Sequence, residues 1–355
     1  MPDPAPGPPA PSSSPERGRF HVEPPAPGAG RGRVGQAGRV TSPDRPDDAP
    51  DRTPEEIRVP VHGGELAALY WAADAPGAPI AVLVHGITGN AMVWEPVARA
   101  LAGDFEVVAP DLRGRGLSAD LPGPYGIEAH ADDVTALLRH FGAVRDAGAQ
   151  ATVLVGHSMG GFVATMTAAG PGRDLLHGLV LVDGGLAFPT PPGADLDAVL
   201  AASLGPTLNR IGRTFPDRDA VRAWWAAHPA LGPWVDDPAV TGYFLRDLTG
   251  TEPELRSAVV PEAVRVDGGD VFLNERVLEP AAELPVPAVL LWATRGMQGQ
   301  VPGLYDEVRL SQLGLDAAGI VPVEVPDTDH YSVLWATQGV EAVEDAVRAA
   351  AASGS

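Results

Sequence analysis

The chain has 355 residues, 45% of them hydrophobic, enough to bury a sizeable core in one large domain or two small ones. A formal net charge of −21 at pH 7 repels phosphate backbones and anionic lipid, which argues against nucleic acid or a membrane surface as partner. With no Cys there is no disulfide, no thiolate zinc site and no Cys nucleophile.

Residues 1–52 are Pro, Gly, Ser, Asp and Arg with few large apolar side chains, too little to offset the entropy of ordering, and a disordered tail is expected there. The opening M-P-D-P-A-P-G-P-P-A-P carries neither the basic nor the apolar region of a secretory signal. No later apolar run reaches transmembrane length, so a cytoplasmic protein is expected. A G-A-G-R-G-R-V-G stretch in the tail has no strand before it and no helix after it, so it lacks the setting of a dinucleotide loop.

From Thr53 the pattern changes. Ile57 to Val61 and Glu65 to Trp71, separated by H-G-G, predict a hairpin. The runs A-V-L-V (81–84), E-V-V-A (106–109), T-V-L-V (152–155), L-V-L-V (179–182), A-V-L-L-W (288–292) and V-P-V-E-V (321–325) predict strands buried on both faces, with helical crossovers between them. The fold class is therefore α/β, a mostly parallel central sheet with helices on both faces. Residues 186–284 break this rhythm. There Phe215, Trp224, Trp225, Trp234, Tyr243 and Phe244 fall among Pro and Asp without strand alternation, and a mainly helical insertion covering the carboxyl edge of the sheet is expected. The predicted core is then 53–185 together with 285–352.

Residues 152–167 read T-V-L-V-G-H-S-M-G-G-F-V-A-T-M-T, placing Ser158 between a strand and a helix with Gly156 and Gly160 two residues to either side. This spacing fits a G-x-S-x-G nucleophile elbow, in which residues without a Cβ let strand and helix approach and lift the Ser hydroxyl above the sheet. The alternative is a Gly-Ser turn whose hydroxyl caps the helix. In an elbow, the Met159 N–H at the helix start faces an oxyanion. The other oxyanion donor is assigned to the N–H of Ile87, in the loop of A-V-L-V-H-G-I-T-G (81–89), with His85 structural.

These residues, in this order, resemble the α/β-hydrolase superfamily, in its H-G-x-x-G and G-x-S-M-G-G esterase-like branch, over roughly Ile57 to Ala350. D-L-R-G-R-G-L-S (111–118) matches a further segment these enzymes often carry, in which Asp111, Arg113 and Ser118 brace the loop. The resemblance places the base last, at His330, the final one of nine His; His157, beside the nucleophile, diverges from it. It also predicts a carboxylate just past A-V-L-L-W. Here the chain reads A-T-R-G-M-Q-G-Q, with Gly296 near that place and no Asp or Glu before Asp306. Asp183, directly after L-V-L-V at a strand end where some family members put the acid, is taken as the acid instead. Asp306 and Glu307 are its rivals, and Asp329 is a turn former.

The resemblance implies an α/β-hydrolase fold with a helical cap. It further implies a serine hydrolase cleaving a carboxylic ester, lactone or thioester through an acyl-enzyme on Ser158, acting on a small apolar substrate with no metal or cofactor. A Ser at this position argues against epoxide hydrolases and haloalkane dehalogenases, which use Asp. Two alternatives stay open: a carbon–carbon bond hydrolase, and a non-catalytic, receptor-like binding protein favoured by the missing carboxylate at Gly296. The aromatics of the insertion suit either an apolar acyl or alcohol group or the joining of insertion to core. Arg295 suits either a substrate carboxylate or a brace for the acid.

Overall fold

The computed structural model describes residues 52–145, 149–188, 190 and 193–353, all within one compact unit. The expected disordered tail lies outside the described residues except for Arg52, which belongs to the core. Its guanidinium bonds the Asp74 carboxylate at 2.8 Å and the Ala102 carbonyl at 2.7 Å.

Eleven strands are present among the described residues: β1 (Glu55–Val61), β2 (Gly64–Trp71), β3 (Ile80–Val84), β4 (Glu106–Pro110), β5 (Thr152–His157), β6 (Gly178–Val182), β7 (Thr214–Phe215), β8 (Leu248–Thr249), β9 (Leu255–Ser257), β10 (Ala288–Arg295) and β11 (Ile320–Asp329). Eight form the central sheet, in the order β1-β2-β4-β3-β5-β6-β10-β11. The β1–β2 hairpin is antiparallel and β2 joins β4 antiparallel, while every later pair is parallel. All residues of β3, β5 and β6 are buried, as expected for short apolar strands covered on both faces. The helices α1 (Glu95–Leu101), α2 (Ile127–His140) and α3 (Met159–Ala169) supply the crossovers, with α2 packed on α3.

V-P-V-E-V corrects one expectation. It does form β11, but this strand closes the sheet at its edge, and Val321 and Val323 are 58% and 40% exposed. Pro322 explains the position, because a residue without an N–H cannot pair on both sides and so belongs on an edge.

Between β6 and β10 the chain leaves the sheet. This segment holds α4 (Leu196–Leu204), α5 (Arg218–Ala226), α6 (Pro238–Arg246), α7 (Pro261–Leu273) and α8 (Glu275–Leu278). It also holds a small antiparallel sheet, β7-β9-β8, whose strands of two or three residues are too short to show alternation in sequence. After β10 come α9 (Glu307–Gln312), α10 (Leu315–Ala318) and, following β11, α11 (Thr337–Ser353), which packs on α1. No helix among the described residues is long and apolar enough to cross a membrane.

The aromatics of the inserted segment join it to the core. Trp225 stacks on Phe244 with centroids 4.5 Å apart, and Trp234 and Tyr243 both meet Trp335 of the core, at 6.2 and 5.9 Å. Buried ion pairs tie the same boundary: Arg115 with Asp267 of α7 at 2.5 Å, and Arg246 of α6 with Asp111 at 2.9 Å. Burial alone would raise the Asp267 carboxyl, but His130 and Arg115 beside it hold it well below its ordinary range.

Candidate active site

The turn from β5 to α3 puts Ser158 at φ 55 and ψ −122, a left-handed conformation that an L-residue adopts only under constraint. The constraint is packing. A Cβ on Gly156 would run into the Gly160 carbonyl, and one on Gly160 would run into the carbonyl of Val84. Gly184, after β6, is pressed as closely against the backbone of Ser158. Strand, helix and the following loop thus meet at three glycines around one strained serine.

Asp183 leaves the end of β6, also at positive φ (45), with its own N–H donating to the Leu291 carbonyl of β10 at 2.7 Å. Its carboxylate is fully buried and both oxygens are engaged: Oδ2 with His330 Nδ1 at 2.7 Å, and Oδ1 accepting from the Ala293 N–H at 3.2 Å. His330 therefore carries its Nδ1 proton toward Asp183, leaving Nε2 for proton exchange. His330 and Ser158 line the same cavity.

The rival carboxylates are placed elsewhere. Asp306 caps α9 by accepting from the Arg309 N–H at 2.8 Å, and Asp329 accepts from the N–H groups of Tyr331 and Ser332, both at 2.9 Å. Glu307 is exposed in the first turn of α9. Gly296 sits in a tight turn closed by its N–H to the Gln300 carbonyl at 2.8 Å. Arg295 contacts neither Asp183 nor the cavity; its guanidinium donates to the Asp327 carbonyl at 2.8 Å, bracing the end of β11.

The loop after β3 is held by its carbonyls. That of Gly86 accepts from the Gly89 N–H at 3.0 Å and from His85 Nδ1 at 2.8 Å; that of Ile87 accepts from Arg115 Nε at 2.9 Å; that of Thr88 accepts from Arg210 Nη2 at 2.6 Å. With these oxygens drawn away, the Ile87 N–H donates to no protein acceptor among the described residues. Met159, the other expected donor, is the first residue of α3, where an N–H has no carbonyl one turn back. His85 also accepts the Leu112 N–H on Nε2 at 3.0 Å, which fixes its tautomer, and burial lowers its pKa to about 3.

Sequence reasoning missed three of these supports. His157 donates from Nε2 to the His330 carbonyl at 2.8 Å and lies against the His330 ring at 4.6 Å, and burial keeps it neutral well below its ordinary pKa. Arg115 and Arg210 hold the loop from 28 and 122 residues away. The only trace of them in sequence is the second Arg of D-L-R-G-R-G-L-S. Asp111, Arg113 and Ser118 of the same stretch act on the backbone and on each other's neighbours: Asp111 accepts from Ala91 and Leu117, Arg113 pairs with Asp133 at 2.7 Å, and Ser118 accepts from Ala67.

The cavity at Ser158 is about 30 Å3 and is walled by Ile87, Val93, His157, Leu204, Tyr243, Met297 and Tyr331 among others. A second cavity of about 280 Å3 shares Met297 with it and is lined by Phe188, Val199, Phe272, Gln298, Leu304 and Arg309 among others.

Comparison with known proteins agrees with this architecture. A family model described as the alpha/beta hydrolase family matches residues 81–346. A 2-(acetamidomethylene)succinate hydrolase of Mesorhizobium japonicum is 30% identical over 255 residues, 71% of this chain and 82% of that protein. An N-formylmaleamate deformylase of Pseudomonas putida is 36% identical over 155 residues, 41% of this chain and 55% of its own length. Among solved structures, E-2-(acetamidomethylene)succinate hydrolase superposes with a TM-score of 0.64 at 22% identity, covering 83% of this chain and 99% of that one.

Proposed function

The chain belongs to the alpha/beta hydrolase family, and we propose that it hydrolyses a small acyl compound, an ester or an amide, through an acyl-enzyme on Ser158. The observation that carries this reading is the buried Asp183–His330 pair, 2.7 Å long, with His330 and the strained Ser158 lining one cavity. His330 takes the Ser158 proton as Oγ attacks the carbonyl carbon, and Asp183 holds the imidazole in the required tautomer. The N–H groups of Ile87 and Met159 stabilise the oxyanion, and the tied carbonyls of residues 86–88 preorganise the first of them. His330 then protonates the leaving oxygen or nitrogen. Water, deprotonated by the same imidazole, releases the acid and restores Ser158.

Residues 186–284 act in this reading as the cap, since Leu204 and Tyr243 wall the cavity from that side. The scope includes amides as well as carboxylic esters, lactones and thioesters because two relatives bear the names of a 2-(acetamidomethylene)succinate hydrolase and an N-formylmaleamate deformylase. Both names denote compounds with carboxylate groups.

The test is the intact mass of the protein after exposure to a fluorophosphonate. One adduct on the wild-type chain, absent from Ser158→Ala, is expected. Well-folded wild-type protein without an adduct would refute an activated serine and leave the binding-protein alternative in possession.

A further inference from the structure

The 30 Å3 cavity beside Ser158 has room for a reacting carbonyl and little more, so the rest of any substrate must lie elsewhere. The 280 Å3 cavity behind Met297 is large enough, and its polar groups are unusual. Arg113, Arg115, Arg210 and Arg246 each pair with an aspartate. Arg309 has no carboxylate within ion-pair distance among the described residues. Among the described residues its guanidinium donates to the carbonyls of Leu304 and Ala187, which uses two of its five N–H donors. The rings of Phe188 and Tyr305 lie 5.2 and 4.8 Å from it and orient it. Of the two carboxylates nearest in sequence, Glu307 is exposed and Asp306 is occupied in capping the backbone of α9.

A second polar side chain, Gln298, lines the same cavity. The side-chain Nε2 of Gln298 is buried near Gly205 and has no hydrogen-bond partner among the described residues, a costly state that turning the amide toward an acceptor in the cavity would relieve. Gln298 and Met297 stand on the turn A-T-R-G-M-Q-G-Q after β10, the stretch that carries no acid. Because Asp183 fills that role from β6, the turn is free to carry side chains toward a ligand. The rest of the lining is mixed, with Phe188, Val199, Phe272 and Leu304 beside the polar Thr190, Ser203 and Gln300.

We propose that this cavity is the subsite for the remote end of the substrate and that it takes a carboxylate, bound by the Arg309 guanidinium and the Gln298 amide. The substrate class is then the mono-ester or mono-amide of a short dicarboxylic acid, with an apolar spacer passing Met297 and the scissile carbonyl at Ser158. This rests on the serine-hydrolase reading for the reaction, but the subsite itself is a binding claim.

The experiment is accordingly a binding one, made in the Ser158→Ala background so that nothing is turned over. Glutaranilic acid and its neutral counterpart pentananilide are titrated calorimetrically. The anion is expected to bind at least tenfold more tightly. Arg309→Leu in the same background should erase that preference, Arg309→Lys should keep part of it, and Gln298→Ala should reduce it severalfold. Equal binding of the two anilides, no binding of the anion, or a preference that survives Arg309→Leu would each overturn the proposal. If Arg309→Leu does not fold, the Lys and Gln298→Ala variants carry the comparison. Fluorophosphonate labelling of the wild-type chain stands apart from this outcome: an unlabelled serine with an intact anion preference would refute the hydrolase reading and leave the subsite standing.

Discussion

Ser158, Asp183 and His330 are each reached at the carboxyl end of a strand, and two of the three sit at positive φ, so the backbone carries strain where the side chains converge. Their unequal partners make a sharp prediction. Asp183→Asn should lower turnover by up to about ten-thousandfold, through loss of the imidazole's orientation and tautomer. Asp306→Asn, which disturbs a helix cap, should cost about 1 kcal/mol of stability or less and leave turnover within about threefold. Steady-state kinetics on a short activated ester decides between them, and the reverse pattern would reassign the acid. These three residues were legible because each follows an apolar run, so position in the sheet could be read from local sequence. Arg309 and Gln298 were not. What marks them among the described residues is the lack of a carboxylate beside Arg309 and of an acceptor for Gln298 Nε2, and that exists only once the chain is folded.

At the level of elements, the loop after β3 is fastened to three parts of the molecule: its own His85, the loop after β4 through Arg115, and the inserted segment through Arg210. The Arg210–Asp247 pair is buried, with Ser257 donating to the other Asp247 oxygen at 2.9 Å, and burial, partly offset by Arg210, raises the Asp247 pKa. Arg210→Leu should therefore destabilise by about 3–5 kcal/mol, because an uncompensated carboxylate remains buried. The double variant Arg210→Leu/Asp247→Leu should recover most of that loss. It should still turn over about 10- to 100-fold more slowly, since the Thr88 carbonyl is released and the loop shifts. Denaturant unfolding and kcat on both variants check this, and a double variant with wild-type kcat would mean that Arg210 holds the fold and not the loop. The core strands were legible from their apolar runs. The small β7-β9-β8 sheet was not, its strands of two or three residues being too short to show alternation, and β11 was misjudged because hydrophobicity alone does not tell an edge from a centre.

For the molecule as a whole, buried neutral histidines contribute to the response to mild acid. Burial lowers His85 to about 3 and His228 to about 4, and places His157 well below its ordinary value. Each binds a proton in the unfolded chain near pH 6.5 and resists doing so when folded. Their stabilising contribution is thus complete above about pH 6.5 and is lost as pH falls toward the folded values. His85, His157 and His228 should each steepen the loss of stability in that window. Urea midpoints at pH 7.5, 6 and 5 should fall progressively, and a flat profile over that range would mean the histidines are hydrated in the folded state.

The volume beside Ser158, about 30 Å3, is that of roughly one water molecule. That space takes the reacting carbonyl alone, so a bulkier acyl or leaving group has to displace side chains such as Leu204, Tyr243 and Met297 as it binds. For bulky substrates of the proposed reaction, that displacement should set the same upper limit on turnover for good and poor leaving groups.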